Sequence, residues 1–289
     1  MGNIRGLFVT DLDGTLLTDE KTISDIDLKT LSRLQKNGIR TAIATGRSDY
    51  SFFSLLESLG FSDKSASLPV DYVIFSTGAG IMMYLEKRLE QSFSLQPEDV
   101  RVITQYLQKF SLDFMVHRPV PDTKYFLYSS HGHENDDFHR RLKIYSAFAR
   151  PFSIEAENRL GGATEVLCIV PGENGHEIAA MVAKHFTQFS VIKATSPLDG
   201  ESVWIEIFPP MVSKSLAVQW LINTIGLSRE NVCAVGNDYN DEDLLHWAGH
   251  SFVVANSPST LMVDFCTVAC NNENGVSEAA HRWLDTLKE

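Results

Sequence analysis

The chain has 289 residues, 44% of them hydrophobic and 21% charged, a length at which a single hydrophobic core commonly gives way to two. Its 25 basic and 37 acidic side chains leave a formal charge of −12, a field that repels polyanions and disfavours nucleic acid and anionic membrane surfaces as partners. Four cysteines (Cys168, Cys233, Cys266, Cys270) are too few for a disulfide scaffold and lack the paired spacing of a zinc site.

The first 80 residues alternate short β-rich apolar runs with helical patterns. Gly6 to Thr10 reads as a strand, Ser24 to Asn37 as a helix with Gly38 behind it, and Ile39 to Thr45 as a second strand. A helix follows from Asp49, capped by Ser48 and stopped at Gly60, and Tyr72 to Ser76 forms the next strand. The most apolar stretch, Tyr72 to Leu85, is 14 residues long and is broken by Ser76, Thr77, Gly78 and Gly80, so it cannot span a bilayer. No charged leader and apolar signal core precede the first strand, and the expected location is the cytoplasm.

The middle of the chain changes character. Strands are expected at Asp113 to His117, Lys124 to Ser129, Glu165 to Val170, Ser190 to Ala194 and Ser202 to Phe208, with helices at Pro97 to Phe110, Asp136 to Ala149 and Gly175 to Phe186. After Pro209-Pro210 the first rhythm returns, with a helix from Ser213 to Ile225, a strand Val232 to Val235, a helix Asp241 to Trp247 and a strand Phe252 to Ala255. The expected fold is α/β: a Rossmann-like core of parallel strands, residues 1–83 and 210–289, with an α+β domain, residues 84–209, inserted into it. Ligands of such parallel sheets bind at the carboxyl ends of the strands.

Four segments carry chemistry. Asp11-Leu12-Asp13-Gly14-Thr15 follows the first strand directly; two carboxylates two residues apart suit a nucleophile and a proton donor, and Gly14 permits the sharp turn behind them. Thr45-Gly46-Arg47 ends the second strand, where a hydroxyl and free turn amides favour an anion. Lys214 opens a helix against the helix dipole, a placement that favours function over decoration. Gly236-Asn237-Asp238-Tyr239-Asn240-Asp241 crowds side-chain oxygens at a strand end, as hard magnesium prefers.

Taken in order, these segments resemble the four motifs of the haloacid dehalogenase-like phosphatase superfamily, and the insert is similar to the α/β cap of its Cof-like sugar-phosphatase branch. The resemblance implies phosphoryl transfer in which Asp11 attacks phosphorus and Asp13 protonates the leaving alcohol, then deprotonates the water that releases phosphate. It also implies that Thr45, Gly46, Arg47 and Lys214 bind the phosphoryl group and that Asn240 orients Lys214 or touches the phosphate. Magnesium is implied as cofactor, bound by Asp11, the carbonyl of Asp13, Asn237 and Asp241. The family's fourth motif usually reads Gly-Asp-x-x-Asn-Asp, and here Asn237 stands at the first Asp; an amide oxygen can ligate but brings no charge, so weaker metal binding is expected.

The leading reading is therefore a magnesium-dependent phosphatase acting on a small phosphorylated metabolite, with sugar phosphates favoured by the branch it resembles. A phosphomutase using the same aspartates, or a phosphosugar-binding protein that has lost turnover, are the alternatives. His131-Gly132-His133-Glu134 reads as a solvated loop more simply than as a metal site. Arg159-Leu160-Gly161-Gly162, and His117 with Arg118, are candidates for insert residues that reach a substrate.

Overall fold

Apolar runs bounded by polar turns become strands buried on both faces, and the amphipathic segments between them become the helices that cover those faces. A computed structural model describes residues 4–61, 67–132 and 134–287; His133 of the His131–Glu134 loop lies outside the described residues. In chain order the first elements are β1 (Gly6–Thr10), α1 (Asp25–Lys36), β2 (Ile39–Ala44), α2 (Asp49–Ser58), β3 (Tyr72–Phe75), β4 (Gly80–Met83) and β5 (Arg88–Ser92). Next come α3 (Pro97–Lys109), β6 (Phe114–His117), β7 (Phe126–Ser129), α4 (Asp136–Ile144), β8 (Ala149–Pro151) and α5 (Ile154–Leu160). They are followed by β9 (Glu165–Val170), α6 (Gly172–His185), β10 (Ser190–Thr195) and β11 (Val203–Phe208). The chain closes with α7 (Lys214–Ile225), β12 (Val232–Gly236), α8 (Glu242–Trp247), β13 (His250–Val254), α9 (Ser259–Asp264), β14 (Cys266–Val268) and α10 (Gly275–Thr286).

The chain divides into two units, Met1–Arg47 with Phe52–Gln91 and Ser213–Glu289, and Ser48–Ser51 with Ser92–Val212. The first holds an eight-stranded sheet in the order β14-β13-β12-β1-β2-β3-β4-β5. Its strands from β14 to β3 are parallel, and β4 turns back against β3. The expected boundary at residue 84 moves to 92, because β5 continues this sheet. On one face Ala217, Val218, Leu221 and Ile222 of α7 pack on Leu7, Val9, Ala42 and Ala44. On the other, the fully buried Trp283 of α10 sits 6.1 Å from the ring of Phe8. Each fully buried valine, leucine, isoleucine or phenylalanine among these contributes roughly 1.5–3 kcal/mol. Among the described residues no helix is long and apolar enough to cross a membrane.

The second unit holds a six-stranded sheet in the order β10-β11-β9-β6-β7-β8, antiparallel except where β8 runs parallel to β7. One face, with Phe114, Val116, Val166, Cys168, Ile205 and Ile207, is packed with Ile103 and Leu107 of α3 and Val182 of α6. The opposite face carries Met115, Phe126, Leu167, Ile169 and Trp204 against Phe138 of α4. The expected helix Asp136 to Ala149 ends at Ile144, because the turn that follows feeds Ala149 into β8 beside Phe126. Arg159 is on the last turn of α5, not in a loop, and Gly162 is required by packing: a Cβ there would stand 2.5 Å from the carbonyl of Leu95.

One buried clamp ties α1 to α10. Asp27, 1% exposed, accepts from the amide of Ser277 at 2.9 Å and its hydroxyl at 2.6 Å, and from the Ser24 hydroxyl at 2.8 Å. Asp27→Ala leaves those donors buried and unpaired, and a loss of about 2–3 kcal/mol is expected in urea unfolding. A loss below about 0.5 kcal/mol would mean that the clamp is not what holds the two helices.

Candidate active site

Asp11 continues the line of β1, its amide donating to Val235 of β12 at 2.8 Å, so its side chain emerges at the carboxyl ends of two adjacent parallel strands. Behind it Leu12–Leu16 forms a single tight turn whose helical geometry is broken at Asp13 and at Gly14. Gly14 has φ +74°, and a Cβ there would come within 2.6 Å of the Asn237 amide, so the turn closes only with glycine. The loop is held from the side by two asparagines that sequence reasoning missed: Asn256 donates to the Gly14 carbonyl at 2.8 Å, and Asn271 to that of Leu17 at 3.0 Å. Asparagines in loops are too common to have pointed to this role.

Lys214 occupies the first turn of α7, whose cap is the Ser213 hydroxyl accepting from the Leu216 amide. The lysine is fully buried, and its ammonium donates to Asp11 Oδ1 at 2.8 Å and to Asp241 Oδ1 at 2.5 Å. Gly78 permits this, since a Cβ there would stand 2.3 Å from the Ser213 carbonyl. The Lys214 ammonium is held by Asp11 and Asp241, not by Asn240, which lies half-buried on the turn Tyr239–Asp241. Asp241, expected among the metal ligands, has both oxygens engaged: Oδ1 by Lys214, and Oδ2 by the amides of Asn237 at 2.8 Å and Asp238 at 3.2 Å. It anchors the lysine and pins the loop after β12.

The two aspartates of the first motif sit in opposite environments. Burial, with the neighbouring charge of Asp241, outweighs the pull of Lys214 and pushes the Asp11 carboxyl up to about 7. Burial also acts to raise Asp13, but there the cations win and hold it below the ordinary carboxylate value. Arg47 grips it at both ends, Nε to Oδ2 at 2.6 Å and Nη2 to Oδ1 at 2.7 Å, and Lys21 stands 3.7 Å away. Arg47 was expected among the phosphate-binding residues; the planar fork of its guanidinium is instead matched to Asp13.

Thr45, 1% exposed, ends β2 beside β1, with its hydroxyl oxygen accepting from the Arg47 amide at 3.0 Å across Gly46. Its carbonyl accepts from the Thr77 amide at 3.0 Å, and that of Arg47 from the Ser76 amide at 2.8 Å. Ser76 and Thr77 both have positive φ, 46° and 56°, a left-handed conformation that costs a β-branched residue free energy and persists only where neighbours over-determine it. Sequence placed Ser76 at the end of a strand; nothing local marks it as a support for Thr45.

Among the described residues no group of three or more His, Cys, Asp or Glu side chains is arranged to hold a metal. The oxygens that remain do fit a hard cation. With the Asn237 amide turned so that Nδ2 faces inward, that nitrogen donates to Asp13 O at 3.0 Å, Thr15 Oγ1 at 3.1 Å and Asp11 Oδ2 at 3.3 Å. The Asp13 carbonyl, Thr15 Oγ1 and Asp11 Oδ2 thus face the end of the Asn237 side chain, which in its other orientation turns Oδ1 to the same side, and all four are oxygen donors of the kind a hard cation takes.

A buried acid at the carboxyl end of a central parallel strand, paired with a buried lysine, stands where open α/β sheets bind their ligands. Residues 8–279 match the family model of the haloacid dehalogenase-like hydrolases, and the chain belongs to that family. It is 27% identical over 278 residues to the Bacillus subtilis 5-amino-6-(5-phospho-D-ribitylamino)uracil phosphatase YitU, covering 94% of each chain. A haloacid dehalogenase-like hydrolase from Bacteroides thetaiotaomicron superposes with a TM-score of 0.70 at 22% identity, over 96% of this chain and 98% of that one. The subclass IIB sugar phosphatase BT4131 does so with a TM-score of 0.73 at 16% identity, over the same 96% and 98%.

Removing the lysine tests the centre of the site. Lys214→Met strands two buried carboxylates, and a loss of about 3–5 kcal/mol is expected in urea unfolding of metal-free protein. A change below about 1 kcal/mol, the worth of a solvated surface pair, would show that burial is not what gives this interaction its weight.

Proposed function

We propose that this enzyme hydrolyses a small phosphomonoester, of the sugar or sugar-alcohol class, through an aspartyl phosphate on Asp11. The observation that carries the reading is the fully buried Lys214 ammonium shared by Asp11 and Asp241 at the ends of β1 and β12. It leaves Asp11 Oδ2 as the oxygen free of the lysine, suited to attack phosphorus while the ester P–O bond breaks. Thr45 and Lys214 supply donors to the phosphoryl oxygens, aided by the turn amides at Gly46. Asp13 gives its proton to the leaving alcohol and takes one back from the water that cleaves the aspartyl phosphate. Arg47 acts as its positioning group. The incoming phosphate dianion opposes the field of Arg47 and Lys21 and so helps Asp13 to hold the proton.

Asp11, the Asp13 carbonyl and Asn237 would hold magnesium, which when bound supplies positive charge against the phosphoryl oxygens and favours ionised Asp11. The substrate class draws on the relatives: YitU is named for a phosphorylated ribityl compound and BT4131 as a sugar phosphatase.

Phosphate release from a panel of sugar, sugar-alcohol and simple aryl phosphates, with and without magnesium, tests the reading. Asp11→Asn is expected to lower release by at least about a thousand-fold, as removal of a covalent nucleophile does. Label returning from the enzyme to substrate, with none set free, would point to a mutase instead. Asn237→Asp adds a charged ligand and removes the inward amide donor, so magnesium binding followed by titration calorimetry is expected to tighten about ten-fold or more, a gain of roughly 1.4 kcal/mol. Unaltered affinity would remove Asn237 from the ligand set.

A further inference from the structure

Two asparagines follow neighbouring strands of the first unit and meet successive peptides of the turn behind Asp11. Asn237, directly after β12, faces the Asp13 carbonyl; Asn256, two residues past β13, donates to the Gly14 carbonyl at 2.8 Å. They differ in freedom. The Asn237 amide finds hydrogen-bond partners in either orientation. The Asn256 amide has only one that serves: its Nδ2 meets a carbonyl, which can only accept, and its Oδ1 takes the Asn271 backbone amide at 3.0 Å, which can only donate. Asn271 is itself fixed, 2% exposed, with its Nδ2 on the Leu17 carbonyl and on Asp19 Oδ1, both at 3.0 Å. Asn256 is thus an exposed side chain locked at both ends, one of them on the turn.

The dihedral angles of the turn show what the lock does. Asp13 at φ −79°, ψ 119° and Gly14 at φ 74°, ψ 5° have the values of the two central residues of a type II turn. Types I and II differ in the two angles that flank the central peptide, so they present its carbonyl on opposite sides. Glycine accepts either sign of φ, so Gly14 does not by itself choose between them. Here the central peptide carries the Asp13 carbonyl, the backbone oxygen assigned above to the cation.

We infer that Asn256 is a positioning residue for the cation site. With the Gly14 carbonyl held, the joint at Gly14 keeps one soft angle in place of two, and the Asp13 carbonyl stays on the side of Asn237 and Asp11 Oδ2. The inference deepens the proposed function and rests on that reading for the cation and for any effect on turnover. Groups that orient a metal's ligands without touching the metal are commonly worth about 10–100-fold in affinity or activity.

The full-length chain allows the test. In metal-free protein, ¹⁵N relaxation of the Gly14 and Thr15 amides reads the joint directly: order parameters of about 0.85 are expected to fall below about 0.6 in Asn256→Leu. Magnesium affinity, followed by titration calorimetry without substrate, is expected to weaken about ten-fold or more in Asn256→Leu. Asn256→Gln, which keeps a donor and an acceptor on an exposed side chain, should restore most of both. With a phosphomonoester, Asn256→Leu is expected to lower kcat about ten-fold with little change in KM. Asn271→Ala separates this role from plain bracing. It keeps the backbone amide that Asn256 accepts and loses the bonds to Leu17 and Asp19, so it should melt below Asn256→Leu yet keep its magnesium affinity. Magnesium bound equally by Asn256→Leu, or weakened as much by Asn271→Ala, overturns the assignment, and so do unaltered order parameters at Gly14 and Thr15. A native chain that binds no magnesium overturns it too. Magnesium binding that depends on Asn256 in a protein releasing no phosphate from any ester would instead overturn the hydrolytic reading and leave this role standing.

Discussion

A lysine ammonium with no access to water is sustained by two carboxylates, and the first unit is arranged so that it can be. Lys214 reaches Asp11 and Asp241 because α7 begins where Gly78 leaves room for the Ser213 carbonyl, and because Asp241 is fixed by the amides of Asn237 and Asp238. Desolvating three charges is costly, and mutual attraction offsets that cost only when geometry is good and the remaining oxygens are hydrogen-bonded. The parallel sheet supplies the geometry. β1 and β12 are neighbours in register, so Asp11 just past the end of β1 and Asp241 on the turn Tyr239–Asp241 beyond β12 bring their carboxylates to one lysine.

Within a few ångströms the same residue type is given two characters. Asp11 is governed by desolvation and by Asp241, which raise it, and Asp13 by a bidentate guanidinium, which lowers it. Environments that push two carboxyl groups apart allow them to take different protonation states within one turn. Asn237 adds a third adjustment. Its amide can turn either nitrogen or oxygen toward Asp11 and Asp13, so one side chain satisfies their oxygens without a cation and offers a ligand to one.

The second unit divides its sheet by chemistry. One face is closed by α3 and α6 over aliphatic and aromatic side chains; the other passes from an apolar half under α4 to His117, Glu165 and Glu206.

Much of this was legible in the linear order of residues. Asp11, Asp13, Thr45 and Lys214 could be named because strand, turn and helix signals placed each at a strand end or helix start, and local periodicity survives folding. The parallel core and the interruption of its rhythm were legible for the same reason. The partners of those residues were not. That Arg47 grips Asp13, that Asp241 anchors Lys214, that Asn256 and Asn271 brace the turn behind Asp11, and that Ser76 and Thr77 accept a left-handed backbone to hold Thr45 are facts about residues far apart in sequence. The short β5, β8 and β14 escaped because an edge strand of three to five residues takes its identity from the neighbour it pairs with. The sequence by itself determined which groups could do chemistry, since their identities and local turns are written in it. Tertiary structure alone decided which carboxylate is raised, which is lowered and which is an anchor, because desolvation and charge pairing depend on distance in space.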